Sequence, residues 1–383
     1  MRDIRDIKAA VVGTGFIGVV HVEALRRLGV EVTGIVGSTP ERAAAKAKAA
    51  ALPAPYPSFE AMLADPAVDV VHLTTPNHLH HAQVRDTLAA GKHVVCEKPL
   101  AMSSEETGEL LRLAEASGLV HAVNFNIRFY AQSQEARARV QAGEIGDVRL
   151  ISGGYLQDWL LFDTDWNWRL DPAAGGSLRA VGDIGSHWLD LVTFITGRHV
   201  EAVMADLTTF IGVRKQPTGP VETFSGGAAA ESVDVPMDTE DAAGILLRLT
   251  GGARAVVTVS QVSAGRRNRL SWEIDGSEAA LAWHSEAPEE LWIGHRGRPN
   301  ELLLRERGDY PPGHAEGFPD TFKHLYRAVY RAVAAGGPPP GAGGAEYPTF
   351  ADGHEEALIA DAIAQSHAEQ RWVTVNPVPQ EVR

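Results

Sequence analysis

The sequence predicts an α/β domain with a parallel, doubly wound sheet, followed by an α+β domain with a large open, mainly antiparallel sheet. Residues 7–125 alternate strand-like and helix-like segments, the pattern of a parallel sheet with helices on its faces. After Asn126 the texture changes to longer strand-like runs with few helices between them. At 383 residues the chain is too long for one typical domain and suits two. The expected division is 1–125 and 126–383.

In the first half, Ile7–Val12 is a short β-rich run ending at Gly13, and Phe16–Leu28 is helical by pattern with Gly29 as its C-cap. Val30–Val36 is a second strand. Pro40–Ala51, rich in Ala, Lys and Arg, is a helix that Pro53 stops. Val68–Leu73, His78–Ala90 and His93–Cys96 read as strand, helix and strand. Ser103–Ser117 opens on a Ser-Ser-Glu-Glu cap and ends at Gly118, and Leu119–Phe125 is one more strand.

In the second half, Asp147–Gly153, Val200–Thr209, Ala242–Thr250, Ala253–Val262, Leu270–Ile274 and Glu278–Trp283 read as strands. Gly251-Gly252 and Asp275-Gly276 are hairpin signals. The Gly/Pro-rich stretches 212–238 and 335–345 read as surface loops. Phe350–Gln370 is an amphipathic helix expected to pack back toward the first domain, and Trp372–Val375 a final short strand.

Composition narrows the partners. Apolar residues make up 44% and charged residues 22%, so both domains can bury real cores. A net charge of −14 argues against nucleic acid or an anionic membrane, either of which wants a basic face. Cys96 is the single cysteine, which excludes an internal disulfide framework and fits a reducing cytoplasm. The charged start, MRDIRDIKAAVV, lacks the features of a signal peptide, and no window has the length of a membrane helix. No cysteine cluster or compact His/Asp set suggests a metal.

Gly13-Thr14-Gly15-Phe16-Ile17-Gly18 sits where the first strand hands over to a helix. The glycines permit a tight turn, close approach to a diphosphate and close helix–strand packing, and the helix N-terminus offers N–H groups to the phosphates. That is a dinucleotide site. At the tip of the second strand, where NAD enzymes usually carry a carboxylate for the ribose, this chain has Gly37. Ser38, Thr39 and Arg42 could instead hold a 2′-phosphate, which favours NADP slightly, although Arg42 also reads as a solvated helix residue. Thr74-Thr75-Pro76-Asn77 closes another strand at the carboxyl edge, where ligands bind. It reads equally as a turn and helix start.

Two further segments carry chemistry. Glu97-Lys98-Pro99 follows the strand 93–96 at the same edge, where a lysine beside a nicotinamide can hold a substrate hydroxyl. Alone it reads as a surface lysine. Gly182-Asp183-Ile184-Gly185-Ser186-His187 leads into the apolar run Trp188–Val192. His187 is a natural base for an alcohol, with Asp183 four residues earlier to orient it. Taken structurally, Asp183 is a helix cap and His187 a packing residue.

GTGFIG, TTPNHLHHAQ, AGKHVVCEKPL and GDIGSHWLDL together resemble the Gfo/Idh/MocA oxidoreductases, in order and over essentially the whole chain. The resemblance implies a Rossmann domain and a large open β-sheet domain with substrate held between them. It matches Lys98, Asp183 and His187 to the family's catalytic lysine, aspartate and histidine, and it implies a cis bond before Pro99. His80, Glu97, Lys98 and Asn126 complete the candidate coenzyme-contacting set.

Gly154-Tyr155-Leu156-Gln157-Asp158-Trp159 and Asp165-Trp166-Asn167-Trp168-Arg169 are similar to the levoglucosan dehydrogenase-type branch of sugar dehydrogenases. Rings of Tyr155, Trp159, Trp166 and Trp168 can stack on a pyranose, and Gln157, Asp158 and Arg169 can bond its hydroxyls. The tryptophans read equally as core or interface residues.

The expected activity is NAD(P)-dependent oxidation of a secondary hydroxyl of a sugar, anhydrosugar or cyclic polyol, by a homodimer or homotetramer. The alternatives are an NAD-dependent glycosidase without net redox change and a noncatalytic dinucleotide-binding sensor.

Overall fold

A computed structural model describes residues 2–219, 231–338, 345–376 and 378. Through residue 123, strands and helices alternate. The strands are β1 (Lys8–Val12), β2 (Glu31–Val36), β3 (Ala54–Pro55), β4 (Val70–Leu73), β5 (His93–Cys96) and β6 (His121–Val123). The helices are α1 (Phe16–Arg27), α2 (Pro40–Ala49), α3 (Phe59–Leu63), α4 (His80–Ala89) and α5 (Ser104–Ser117). Next come α6 (Ala131–Gln141), β7 (Val148–Leu156), α7 (Pro172–Gly175), α8 (Ser186–Thr196), β8 (Val200–Thr208), β9 (Val213–Pro217) and β10 (Ser232–Pro236). They are followed by β11 (Ala242–Leu249), β12 (Arg254–Ser260), β13 (Arg269–Gly276), β14 (Ala280–His284), β15 (Glu290–Gly294) and β16 (Glu301–Leu304). The chain closes with α9 (Phe318–Ala335), α10 (Phe350–Glu369) and β17 (Val373–Thr374).

The chain forms two compact units. One is built from Met1–Asn126 and Pro319–Ala357, the other from Ile127–Phe318 and Leu358–Pro377. The first unit is a six-stranded parallel sheet in the order β3-β2-β1-β4-β5-β6. Its central strands are apolar on both faces, as a sheet covered by helices on two sides requires: Ala9 to Val12 are all buried, and so is every residue of β4. Helix α5 begins where Ser103 accepts from the Glu106 N–H at 3.2 Å, and ends at Gly118 in the left-handed conformation.

The sequence pattern places everything after residue 125 in a second domain, yet the chain returns to the first unit with α9. The reason lies in Phe322, Tyr326 and Tyr330, spaced four apart on one face and buried against the rings of His21 and His72.

The second unit is a nine-stranded sheet, β16-β15-β14-β13-β7-β12-β11-β8-β17, in which β7 and β12 run parallel and the other neighbours antiparallel. The central strand runs three residues past the expected end at Gly153. A Cβ on Gly153 would lie 2.9 Å from Trp188 Nε1 and from Trp272 Cα. Glycine there lets α8 settle on the sheet, with Trp188 Nε1 donating to Ser271 O at 2.9 Å. That contact fixes the first turn of α8, which carries His187. Arg128 donates from Nε to both Asp190 oxygens, at 3.0 and 2.9 Å, and ties the middle of the helix to the turn at 126–129.

Residues 212–238 are not all loop: β9 and β10 pair antiparallel at its two ends, while 220–230 lie outside the described residues, as do 339–344 of the second Gly/Pro-rich stretch. Arg214 of β9 is fully buried because its guanidinium satisfies the carbonyls of Leu160 and Phe162, at 2.9 and 2.8 Å. Among the described residues no helix is long and apolar enough to cross a membrane.

Candidate active site

In the first unit, Gly13–Gly18 forms the turn between β1 and α1. Gly13 has φ +119°, and a Cβ there would lie 2.6 Å from the Thr74 carbonyl oxygen. Thr74 is the buried floor of this turn, with its hydroxyl donating to Val12 O at 2.8 Å. Gly15 is the N-cap of α1 and offers no side-chain cap to the first turn, and a Cβ on it would meet nothing within 4 Å. A helix N-terminus without a side-chain cap, facing open space, is what a diphosphate needs. These residues therefore fit a dinucleotide.

At the tip of β2, Thr39 caps α2 by accepting from Arg42 N at 3.2 Å, and Arg42 Nη1 lies 3.4 Å from Ser38 Oγ. Gly37 has no room for a side chain, since a Cβ would sit 2.8 Å from Ala43 N. Thr75 donates to Gln83 Oε1 at 2.6 Å, and Pro76 and Asn77 open a short 3₁₀ turn before α4.

The Lys98–Pro99 bond is cis, as the resemblance implies. His80 lies beneath this loop with no exposed surface, its Nδ1 2.8 Å from Pro99 O and its Nε2 2.9 Å from Thr75 O. It ties the backbones of the two loops together. Glu97 turns inward, 3.0 Å from His21 Nε2, and accepts from Asn124 Nδ2 at the same oxygen. Asn126 is buried and donates to Thr321 Oγ1 at 2.7 Å.

In the second unit, Val181–Gly185 forms a π-helical turn that runs into α8, so Asp183 is not the cap of a plain helix. Glu240 receives the entering backbone, accepting from Arg179 N at 2.9 Å and Val181 N at 2.8 Å; burial raises its pKa despite those bonds. Asp183 accepts from Arg169 Nε at 3.0 Å on one oxygen and from Gln261 Nε2 at 2.8 Å on the other. Gln261 is held by Arg179 Nη1 at 3.3 Å. Arg179 pairs with Asp241, which also binds Arg214 at 2.8 Å. Burial alone would raise the Asp241 pKa, but the two guanidiniums and the Ile211 N–H outweigh it and the net shift is downward.

The aromatic segment divides in two. Trp159 Nε1 donates to Gln157 Oε1 at 2.7 Å, and Gln157 and Tyr155 both donate to Asn268 Oδ1, at 2.8 and 2.7 Å. The Tyr155 ring stands 6.2 Å from that of His187. Trp168 stacks on the Arg169 guanidinium at 4.4 Å. Trp166 is half-buried and joins neither set among the described residues. Asp158 accepts from Gly265 N at 3.1 Å. Sequence reasoning misses Gln261, Asn268, His21 and His72, because each takes its meaning from a partner distant in the chain: Asp183 for Gln261, Tyr155 and Gln157 for Asn268, Glu97 for His21 and Tyr330 for His72.

A parallel sheet with a glycine cradle at its carboxyl edge defines a dinucleotide-binding fold, and the comparisons make it that of an NAD-binding oxidoreductase. Residues 7–125 match the model of the oxidoreductase family with an NAD-binding Rossmann fold, and residues 133–282 match the GFO/IDH/MocA C-terminal domain. The chain belongs to the Gfo/Idh/MocA family. It is 29% identical to levoglucosan dehydrogenase of Pseudarthrobacter phenanthrenivorans over 97% of this chain and 99% of the relative. It is 31% identical to D-xylose 1-dehydrogenase (NADP(+)) 2 of Haloferax volcanii, over 70% of this chain and 80% of that one. A solved levoglucosan dehydrogenase in complex with NADH and L-sorbose superposes with a TM-score of 0.87 at 29% identity, covering 97% of this chain and 99% of that chain.

Proposed function

We propose that the protein is an NAD(P)-dependent dehydrogenase that oxidises a secondary hydroxyl of a cyclic sugar, anhydrosugar or cyclic polyol. Gly13–Gly18 hold the diphosphate, with Thr75, Pro76 and Lys98 at the strand ends toward the nicotinamide. A nicotinamide held there would supply the hydride acceptor for the substrate carbon. His187 accepts the hydroxyl proton. Lys98 donates a hydrogen bond to the same oxygen and stabilises the charge that develops there. Asp183 orients His187 or holds a neighbouring hydroxyl.

The observation that carries this reading is the Asp183 carboxylate, clamped at both oxygens by Arg169 and Gln261 one turn before His187. A carboxylate fixed so firmly beside a histidine is costly unless its position matters. The whole-length similarity to a dehydrogenase of an anhydrosugar supports the substrate class.

NADP binds at least as well as NAD in this reading, because no carboxylate can stand at Gly37 and Arg42 lies beside Ser38. A second copy covers the outward sheet face at Leu150, Leu246 and Val256, all exposed, giving a homodimer or homotetramer. The single, buried cysteine suits a cytoplasmic location.

Lys98→Met and His187→Asn test the roles. Each should lower kcat by roughly two to four powers of ten, with coenzyme affinity changed far less. Near-full turnover by His187→Asn across pH would leave the histidine a packing residue.

A further inference from the structure

A buried chain of hydrogen bonds in the first unit ends on Glu97, the residue before Lys98. Tyr330 OH lies 3.0 Å from His72 Nε2, His72 Nδ1 lies 3.0 Å from His21 Nδ1, and His21 Nε2 lies 3.0 Å from Glu97 Oε1. The two histidines and Tyr330 have no exposed surface. Glu97 Oε1 also accepts from the Asn124 amide, whose oxygen accepts from Tyr326 OH at 3.3 Å. Glu97 Oε2 accepts the backbone N–H of Lys98 at 3.2 Å.

One proton arrangement satisfies every member. Burial pushes the Tyr330 phenol well above its ordinary value, so it keeps its proton, and among the described residues His72 is the partner in reach. Tyr330 must therefore donate, or a buried hydroxyl proton is lost to no acceptor. His72 Nε2 is then the acceptor and its proton sits on Nδ1, donating to His21 Nδ1. His21 in turn carries its proton on Nε2 and donates to Glu97. Both rings are neutral in this arrangement, and burial holds the His72 pKa well below its usual value. An imidazolium at His21 would reverse the chain and orphan the Tyr330 proton. Glu97 thus accepts three donors, a pattern that favours its carboxylate form.

We propose that Tyr330, His72 and His21 form a one-directional hydrogen-bond chain that keeps Glu97 ionised and so fixes the backbone of Lys98. They are positioning residues for the reaction, a role that rests on Lys98 acting as described above. Other titratable groups facing Glu97 among the described residues include His80, Cys96, Tyr326 and Lys98; burial keeps the Cys96 thiol and the Tyr326 phenol protonated, and lowers the His80 pKa.

Nitrogen NMR of the histidine-labelled protein, without substrate or coenzyme, tests the chain directly. Signals assigned by His21→Asn and His72→Asn should report the Nε2–H tautomer for His21 and the Nδ1–H tautomer for His72, both neutral around neutral pH. The reverse tautomers, or a doubly protonated ring, overturn the proposal. Tyr330→Phe removes the leading donor and keeps the ring. It should abolish the single-tautomer signal of His72, lower kcat by between about tenfold and a hundredfold, and change the shape of the pH profile. A pH profile superimposable on wild type overturns the positioning role. Lys98→Met keeps the two ideas apart. Full turnover there removes the lysine from the reaction and the purpose of the chain with it. Lost turnover combined with the wrong tautomers overturns the chain alone.

Discussion

Arg169 and Asp183 form one ion pair in the second unit, Nε to Oδ1 at 3.0 Å, while Arg169 Nη1 reaches Asn167 Oδ1 at 3.2 Å and the guanidinium lies on Trp168. The sequence alone assigns Arg169 to substrate hydroxyls. The ion pair gives it a second contact, with the Asp183 carboxylate four residues before His187.

Arg169→Ala should therefore lower kcat by roughly ten- to a hundredfold in addition to raising KM, because Asp183 loses a charged donor. Arg169→Lys should not restore it, since a single ammonium cannot span Asp183 and Asn167 while stacking on Trp168. Steady-state kinetics separate the possibilities: a raised KM with unchanged kcat would make Arg169 a substrate binder only.

Gly13 and Gly15 should fail in different ways. Gly13→Ala places a Cβ against Thr74 O with φ at +119°, so it should lower Tm as well as coenzyme affinity. Gly15→Ala meets open space in the fold and crowds only the diphosphate. It should leave Tm unchanged and weaken coenzyme binding by roughly tenfold, about 1.4 kcal/mol. Equal coenzyme affinity in Gly15→Ala and wild type would place the diphosphate elsewhere.

Coenzyme choice rests on Arg42. Arg42→Ala should weaken NADP binding by roughly tenfold and leave NAD binding within about twofold, since only NADP carries a 2′-phosphate. Gly37→Asp is not a clean switch toward NAD, because its Cβ collides with the backbone of α2. Titration of wild type and variant with both coenzymes decides this, and equal losses would remove Arg42 from the ribose site.

Acid should destabilise the protein in a defined window. Burial drives the His121 pKa from 6.5 down to about 4, and its Nδ1 accepts from Phe350 N at 3.2 Å. The folded value lies below the unfolded one, so the unfolded state binds the proton first. Stability is full above pH 6.5 and falls by roughly 3 kcal/mol on the way to pH 4. His121→Gln keeps an acceptor without titrating and should show a shallower loss in urea unfolding across that range. An identical loss would assign the acid sensitivity to other groups, such as His72.

Much of the fold was legible because local chemistry and tertiary structure agree. The GTGFIG turn, the Ser103 cap and the Gly118 stop are set by backbone needs that act over a few residues. The Gly251-Gly252 and Asp275-Gly276 hairpins are legible for the same reason. Helix α9 carried a readable signal in the four-residue spacing of Phe322, Tyr326 and Tyr330, but it belongs to the first unit only because of where His21 and His72 lie. Strands β15 and β16 are short, and β16 leaves Leu302 and Leu304 exposed, so neither gives a clear buried alternation. The candidate site was legible at Lys98, Asp183 and His187 through motif order. Gln261, Asn268 and His21 were not, because the meaning of a lone polar residue is set by a partner that only the fold supplies.

The central claim is net oxidation of a cyclic hydroxyl at the expense of a nicotinamide coenzyme. The most direct measurement follows nicotinamide absorbance while the purified protein meets pyranoses, anhydrosugars, cyclic polyols and linear alcohols with NAD or NADP. Steady accumulation of reduced coenzyme with at least one cyclic sugar or polyol, lost in His187→Asn and slight with linear alcohols, is the predicted result. Coenzyme binding without any accumulation, whether the sugar is untouched or cleaved without net redox change, would contradict it.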